Sequence, residues 1–269
     1  YMVFHDLDQH RPDDVFRHLA LLYYIEAQWY KTDDLNELIS SGAVTAETSA
    51  EVASFLDDPV KVFKDVLRQK NLLTERVARE LETATEFWGL ERSLCTALAE
   101  GKAVRLEDVL RAVHIKSFDY RVMFLLFYGL RGAPVNDLHM EFISTLEIIG
   151  EMCDDLRDYE TDVRRNTFNV FRAFVNIYGP SQAPTEMANF LDEIERRYES
   201  LLSQLEPELA EHFARLNKYS TASRGTDNPL VKWNIPPVIA DEAAYRASMS
   251  ANVNHKMKEE KDRVNLVYI

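Results

Sequence analysis

The sequence predicts an all-α protein, a single domain spanning residues 1–269 and built from about ten helices. Glycine (8) and proline (9) are scarce for a chain of this length, while Leu, Ala and Glu recur, a composition that favours helices over a sheet linked by turns. Apolar residues also fall at helical spacing through long segments, most clearly over 15–38 and 137–159. A hydrophobic share of 46% is enough to build a core.

The elements follow in order. Asp13 or Asp14, after Pro12, can cap a helix running from Val15 to about Leu38, whose apolar positions include Phe16, Leu19, Leu22, Tyr23, Ala27 and Tyr30. Ser40-Ser41-Gly42 ends it. Helices are expected near 46–56, 59–69, 74–88 and 90–100, punctuated by Asp57-Asp58-Pro59 and Gly89. Asp57-Asp58 sits directly before a proline and reads as a cap. Further helices cover Leu106 to Val113, the aromatic-rich Ser117 to Leu130, and Asp137 to Tyr159. After a short basic break come Phe168 to Tyr178, Pro184 to Leu205 and Pro207 to about Tyr219. Arg224 to Pro237 reads as a loop, and Asp241 to about Lys261 as a last helix.

Charge and cysteine content narrow the classes. A net charge of −14 disfavours non-specific nucleic-acid binding. The uncharged run Val122 to Leu130 is far too short to span a membrane. With only Cys95 and Cys153, a reducing, cytoplasmic compartment is expected rather than a disulfide scaffold. No secretory signal stands at Tyr1, and a start at Tyr suggests a trimmed sequence, with room for a removed organelle-targeting segment.

Two acidic clusters carry most of the chemistry. The first is Asp33-Asp34-Leu35-Asn36-Glu37; the second runs from Asp154-Asp155 through Asp158 to Asp162. Each follows an apolar helical run, so each should lie near the end of an otherwise buried helix. Residues four apart share a helical face, which aligns Asp33 with Glu37 and stacks Asp154, Asp158 and Asp162. Crowded carboxylates repel unless a cation or proton intervenes, and hard oxygen donors point to Mg²⁺ with a phosphate ligand. The seven histidines show no ligand spacing, which argues against zinc.

The order DDxxE, then DDxxD, resembles the class I terpenoid synthase fold, the all-α bundle shared by terpene cyclases and trans-prenyltransferases. The likeness runs from about residue 13 to 219 and rests on the two motifs and the helices between them. It implies a helical bundle with a central cavity, and three Mg²⁺ ions, with Mn²⁺ as an alternative. Asp33, Asp34 and Glu37 would form one metal wall. The other would be Asp154, Asp158 and Asp162 in a cyclase-type motif, or Asp154, Asp155 and Asp158 in a prenyltransferase-type one. Leu38 to Glu51 lacks the arginine pair usual in chain-elongating enzymes, whereas Lys116-Ser117 is similar to their Lys-Thr pair. Asn166 to Val170 resembles the stretch that follows the cyclase metal motif, and the balance favours a cyclase-type site.

The resemblance also implies cations for the diphosphate: Lys116, Arg121, Arg164, Arg165 and Lys218. Arg121 stands where the family often has a diphosphate-sensing arginine; an ordinary arginine at a helix start is the plain alternative. Arg164-Arg165 reads equally as a solvated pair. Lys218-Tyr219 stands in for the family's Arg-Tyr pair near the C-terminus, which gives Tyr219, like Arg121, a catalytic role. Tyr30, Phe118 and Phe124 are the aromatic residues expected to line the pocket and face a carbocation. The implied substrate is a linear isoprenyl diphosphate of C10–C20, ionised and then cyclised. A second hypothesis transfers the prenyl group to an acceptor such as an amine, an amino acid or another isoprenoid. A third retains the fold as a non-catalytic scaffold. A homodimer is compatible with each.

Overall fold

A computed structural model describes residues 3–5, 11–221 and 228–249, which are helical with no strand among them. After a 3₁₀ turn at Val3–His5 come α1 (Pro12–Phe16), α2 (Leu19–Ser40), α3 (Ser49–Asp57), α4 (Lys61–Gln69), α5 (Glu75–Ala99) and α6 (Leu106–Lys116). They are followed by α7 (Phe118–Arg131), α8 (Asp137–Arg165), α9 (Val170–Tyr178), α10 (Ala183–Leu202), α11 (Pro207–Thr221) and α12 (Pro229–Lys232). Residues 242–249 are helical again. The remainder of the predicted last helix, to Lys261, lies outside the described residues.

Several boundaries differ from the sequence reading. Pro12 opens α1 with no side-chain cap, so Asp13 and Asp14 lie inside the helix; the chain then breaks at 17–18 before α2. Gly89 does not punctuate anything: α5 runs unbroken through it, capped by the Thr74 hydroxyl, which accepts the Val77 amide. Helix α8 continues past Tyr159 to Arg165 and stops where Asn166 takes a left-handed conformation at φ 59°. The loop predicted over 224–237 contains α12, whose first turn is capped by the Asn228 side chain. Asp58 does act as a local cap, its carboxylate accepting the Val60 amide.

Gly89 costs the long helix backbone entropy and gains nothing in return, since an added Cβ would meet no atom within 4 Å. Gly89→Ala is therefore expected to raise the unfolding free energy by about 0.5–1 kcal/mol, read by denaturant titration. A destabilised variant would contradict an unbroken α5.

Helix α5 is packed by α2, α6 and α7, while α8 lies against α7, α9 and α10. Helices α7 and α8 share two distinct neighbourhoods. The N-terminal end of α7 brings Phe118 edge-on to Trp29 and Trp88, with ring centroids 5.1 and 5.2 Å apart; Trp29 stacks on Phe63 at 3.6 Å. The other end of α7 and the start of α8 hold Phe4, Phe124, Phe142 and Phe213 in one aromatic cluster. No described helix is long and apolar enough to cross a membrane. Cys95 and Cys153 are free thiols.

The predicted apolar face of the first long helix is corrected. In α2 only Ile25, Trp29, Thr32 and Asn36 are buried, a narrow stripe set by the packing against α5 and α7. Phe16 (64% exposed), Tyr23 (73%) and Tyr30 (65%) are largely exposed instead. The first acidic cluster thus ends a helix at the margin of the bundle, not one that is otherwise buried.

Candidate functional site

A cleft of about 360 Å³ lies where α2, α5, α6, α7 and α8 meet, and both acidic clusters reach it. Helix α2 contributes Glu26, Tyr30, Asp33 and Glu37 on one face. Across from them α8 presents Glu151, Asp154, Asp155, Asp158 and Asp162. Glu91 of α5, Lys116 of α6 and Asp119 of α7 add further charge, and Phe87, Phe118, Tyr120 and Phe168 supply aromatic surface. Ten carboxylates and one lysine line the cleft among the described residues.

That imbalance governs the electrostatics. Asp33 Oδ1 accepts a 2.7 Å hydrogen bond from Trp88 Nε1. Burial nevertheless pushes its carboxyl up to about 7, and the charges of Glu91, Glu37 and Asp34 add to the rise. Burial likewise raises Glu91 to about 7, against the hydrogen bond it accepts from Asn36 Nδ2. Asn36 is held on its other side by Arg92. Asp119 is raised to about 7 by burial, with Asp33, Glu151 and Glu26 repelling its charge. Just behind this wall, burial and the charges of Glu151 and Asp119 raise Glu147 to about 7.

The second cluster divides into separate roles. Asp155 is buried, with Lys116 Nζ 2.8 Å from Oδ1 and the Val170 amide 2.7 Å from Oδ2. It tethers α6 and α9 to α8. The DDxxD grouping of Asp154, Asp155 and Asp158 therefore includes a carboxylate neutralised by a buried lysine, whereas the stripe of Asp154, Asp158 and Asp162 does not contain it. Asp154 and Asp158 are exposed, Asp154 beside Arg157. Asp162 is fixed by Thr167 Oγ1 at 2.8 Å and Asn169 Nδ2 at 2.9 Å.

Other expected residues are placed elsewhere. Asp34, adjacent to Asp33 in sequence, turns off the shared face and lines a neighbouring depression with Glu37, Leu38, Ser41, Arg165 and Thr167. Arg121 does not face the cleft. Its Nε bonds Glu80 at 2.8 Å and its terminal nitrogens reach the carbonyls of His114 and Ile115, so it closes the end of α6. Phe124 packs against Phe4 in the aromatic cluster, a full helical turn and more from the cleft. Arg164 is exposed and is not part of the lining, whereas Arg165 stands at the neighbouring depression. Lys116 lines the cleft, paired to Glu151 and Asp155 at 2.8 Å each. Burial would lower its pKa; the two carboxylates outweigh that and keep it charged. Tyr30 sits at the rim, and Phe118 forms part of the buried wall. Lys218 and Tyr219 fall in the last part of α11, and their side chains lie outside the described residues.

Glu26, Glu91, Asp119 and Glu151 belong to the site but to neither motif. Glu151 had a readable signal, since it lies a helical turn before Asp154 and Asp155. Glu91 and Asp119 had none, because neither belongs to an acidic run. No protein-family model, curated protein or solved structure matches the chain.

The donors are hard oxygens, the chemistry Mg²⁺ prefers. Among the described residues no three of His, Cys, Asp and Glu stand close enough to hold a metal ion unaided. Mg²⁺ is usually bound through one or two carboxylates and completed by water and substrate phosphate oxygens. The uncompensated charge of the cleft points the same way: a cation would relieve it.

Proposed function

We propose that this protein is a Mg²⁺-dependent enzyme of the class I terpenoid synthase type, which ionises a linear isoprenyl diphosphate and lets the resulting cation cyclise. The observation that carries this reading is the convergence of the two acidic clusters on one cleft with aromatic walls. Asp33 and Glu37 on α2, and Asp154, Asp158 and Asp162 on α8, are the residues that would hold the ions. Bound Mg²⁺ would neutralise the diphosphate as it leaves. Trp88 fixes the Asp33 carboxylate, while Thr167 and Asn169 fix that of Asp162, so both are oriented before any ligand arrives. Phe87, Phe118 and Phe168 exclude water from the apolar part of the cleft and offer π faces to an allylic cation. Arg165 is the basic side chain best placed to approach the diphosphate from the adjoining depression.

A second reading, prenyl transfer to an acceptor, is supported by Glu26, Asp119 and Glu151. These carboxylates exceed what the two motifs supply and have the sign to hold an ammonium group. An acceptor held instead by its carboxylate loses support, because Arg121 is committed to Glu80.

The test uses C10, C15 and C20 diphosphates with Mg²⁺, alone and with amine acceptors, and products read by mass spectrometry. Thermal melting with Mg²⁺ and inorganic diphosphate accompanies it. Joint addition is expected to stabilise beyond either alone, by about 2.7 kcal/mol at a hundredfold excess over Kd. Neither product nor joint stabilisation would leave the scaffold reading in its place.

A further inference from the structure

The turn between α8 and α9 is held from two sides. On the inner side its residues grip the second acidic cluster: Thr167 and Asn169 bond the Asp162 carboxylate, and the Val170 amide bonds Asp155. Asn169 also spans from the Asp155 carbonyl, at 2.6 Å, to the Arg172 amide, which it caps. On the outer side the grip belongs to Arg172. Its buried guanidinium donates to the Thr167 carbonyl at 3.0 Å and to Asn166 Oδ1 at 2.6 Å. Its remaining donors form a two-point fork with Glu242, at 2.7 and 2.8 Å.

Glu242 comes from the last described helical segment, and that segment is fastened to the same part of α8. Arg246 bridges Glu242 and the Val163 carbonyl, at 3.0 and 2.9 Å, and the Ile239 amide donates to Tyr159 Oη at 3.1 Å. The route from Glu242 to Asp162 is therefore continuous. Glu242 aims and neutralises Arg172, Arg172 sets the backbone of Asn166 and Thr167, and Thr167 with Asn169 sets the carboxylate. Asn166 takes the left-handed conformation that ends α8, which turns the chain toward Thr167.

We propose that Arg172 and Glu242 are positioning residues of the cleft: their buried ion pair latches the segment after residue 238 onto the 166–169 turn and so fixes Asp162 for ion binding. This rests on the metal–diphosphate reading given above. Neither residue lines the cleft, and neither touches the substrate. A pair that merely fastened one helix to another would leave the ion affinity of the cleft unchanged.

Glu242→Gln separates these roles. It keeps the size of the side chain but leaves one acceptor for the two Arg172 donors, and it removes the charge that holds Arg172. Two readouts are taken on the full chain: amide hydrogen exchange at Thr167 and Val170, and the Mg²⁺ concentration giving half-maximal thermal stabilisation with inorganic diphosphate. Exchange at both amides is expected to rise, and the Mg²⁺ requirement to increase about 10–100-fold, the range for partners that orient metal ligands. If Glu242→Gln does not fold, Glu242→Asp carries the test, since its shorter arm keeps the charge but loosens the fork. Unchanged exchange overturns the latch. Faster exchange with an unaltered Mg²⁺ requirement reduces the pair to a staple and overturns the proposal alone. A wild-type protein indifferent to Mg²⁺ and diphosphate overturns the reading of the cleft, and the proposal with it.

Discussion

Asp33→Asn is expected to lower Mg²⁺-dependent turnover of a prenyl diphosphate by about 10³-fold or more, while the protein becomes no less stable at pH 8. The loss follows from removing an ion-binding oxygen whose charge stabilises the departing diphosphate, an effect of several kcal/mol. The stability follows from the environment of Asp33. Asparagine keeps an oxygen for Trp88 Nε1, so the 2.7 Å hydrogen bond survives. It also removes a charge that burial opposes and that Glu91, Glu37 and Asp34 repel. Function and fold thus pull in opposite directions at this position, as they often do at sites built from like charges. The measurements are kcat/KM at saturating Mg²⁺ and the melting temperature at pH 8. An active Asp33→Asn variant would sink the assignment of Asp33. One that melts several degrees lower would show instead that the carboxylate is a structural element.

The second large effect is a fall in stability with rising pH when no cation is present. Asp33, Glu91, Asp119 and Glu147 all titrate at about 7 in the folded protein. In the unfolded chain such groups titrate near 4. Between those values the folded state binds more protons than the unfolded one, so the stability these groups contribute is complete below about pH 4. It is lost progressively up to about pH 7. From pH 5.5 to 8 a single group of this kind accounts for on the order of 2 kcal/mol. The four repel one another, so their effects are coupled and do not simply add. Urea unfolding at pH 5.5, 7 and 8 with a chelator should show the decline. Mg²⁺ with inorganic diphosphate should flatten it, because bound cations take over the task of the protons. A chelated protein equally stable at pH 5.5 and 8 would mean that these carboxylates are better solvated than their burial implies.

The all-helical character and the second acidic cluster were legible because both are local properties. The periodicity of 137–159 and the four-residue spacing of Asp154, Asp158 and Asp162 need no tertiary information. The distinction between Asp155 and its neighbours did need it. Only the approach of Lys116 and the Val170 amide shows that Asp155 is a tether. Arg121 misled for the same reason: its partner Glu80 lies on α5, and nothing near residue 121 announces it. The buried side of α2 was not legible because Tyr23 and Tyr30 fall off the stripe of Ile25, Trp29, Thr32 and Asn36, a choice of face that only the packing against α5 and α7 makes. Gly89 is punctuation by residue type alone, although an isolated glycine is tolerated inside a long helix that its other residues hold in place. Glu91 and Asp119 became visible only when five helices were brought together.

Those helices also differ from end to end. The middle of α7 and the first part of α8 are locked together by Phe4, Phe124, Phe142 and Phe213, while the acidic walls lie on α2 and on the later half of α8. The aromatic lock acts as the fixed end of a pair of tongs. Helix α7 packs against both α2 and α8, so the lock braces the frame on which the two walls stand. A ligand that brings positive charge would therefore find the gap already set and would spend little of its binding energy on rearranging the protein.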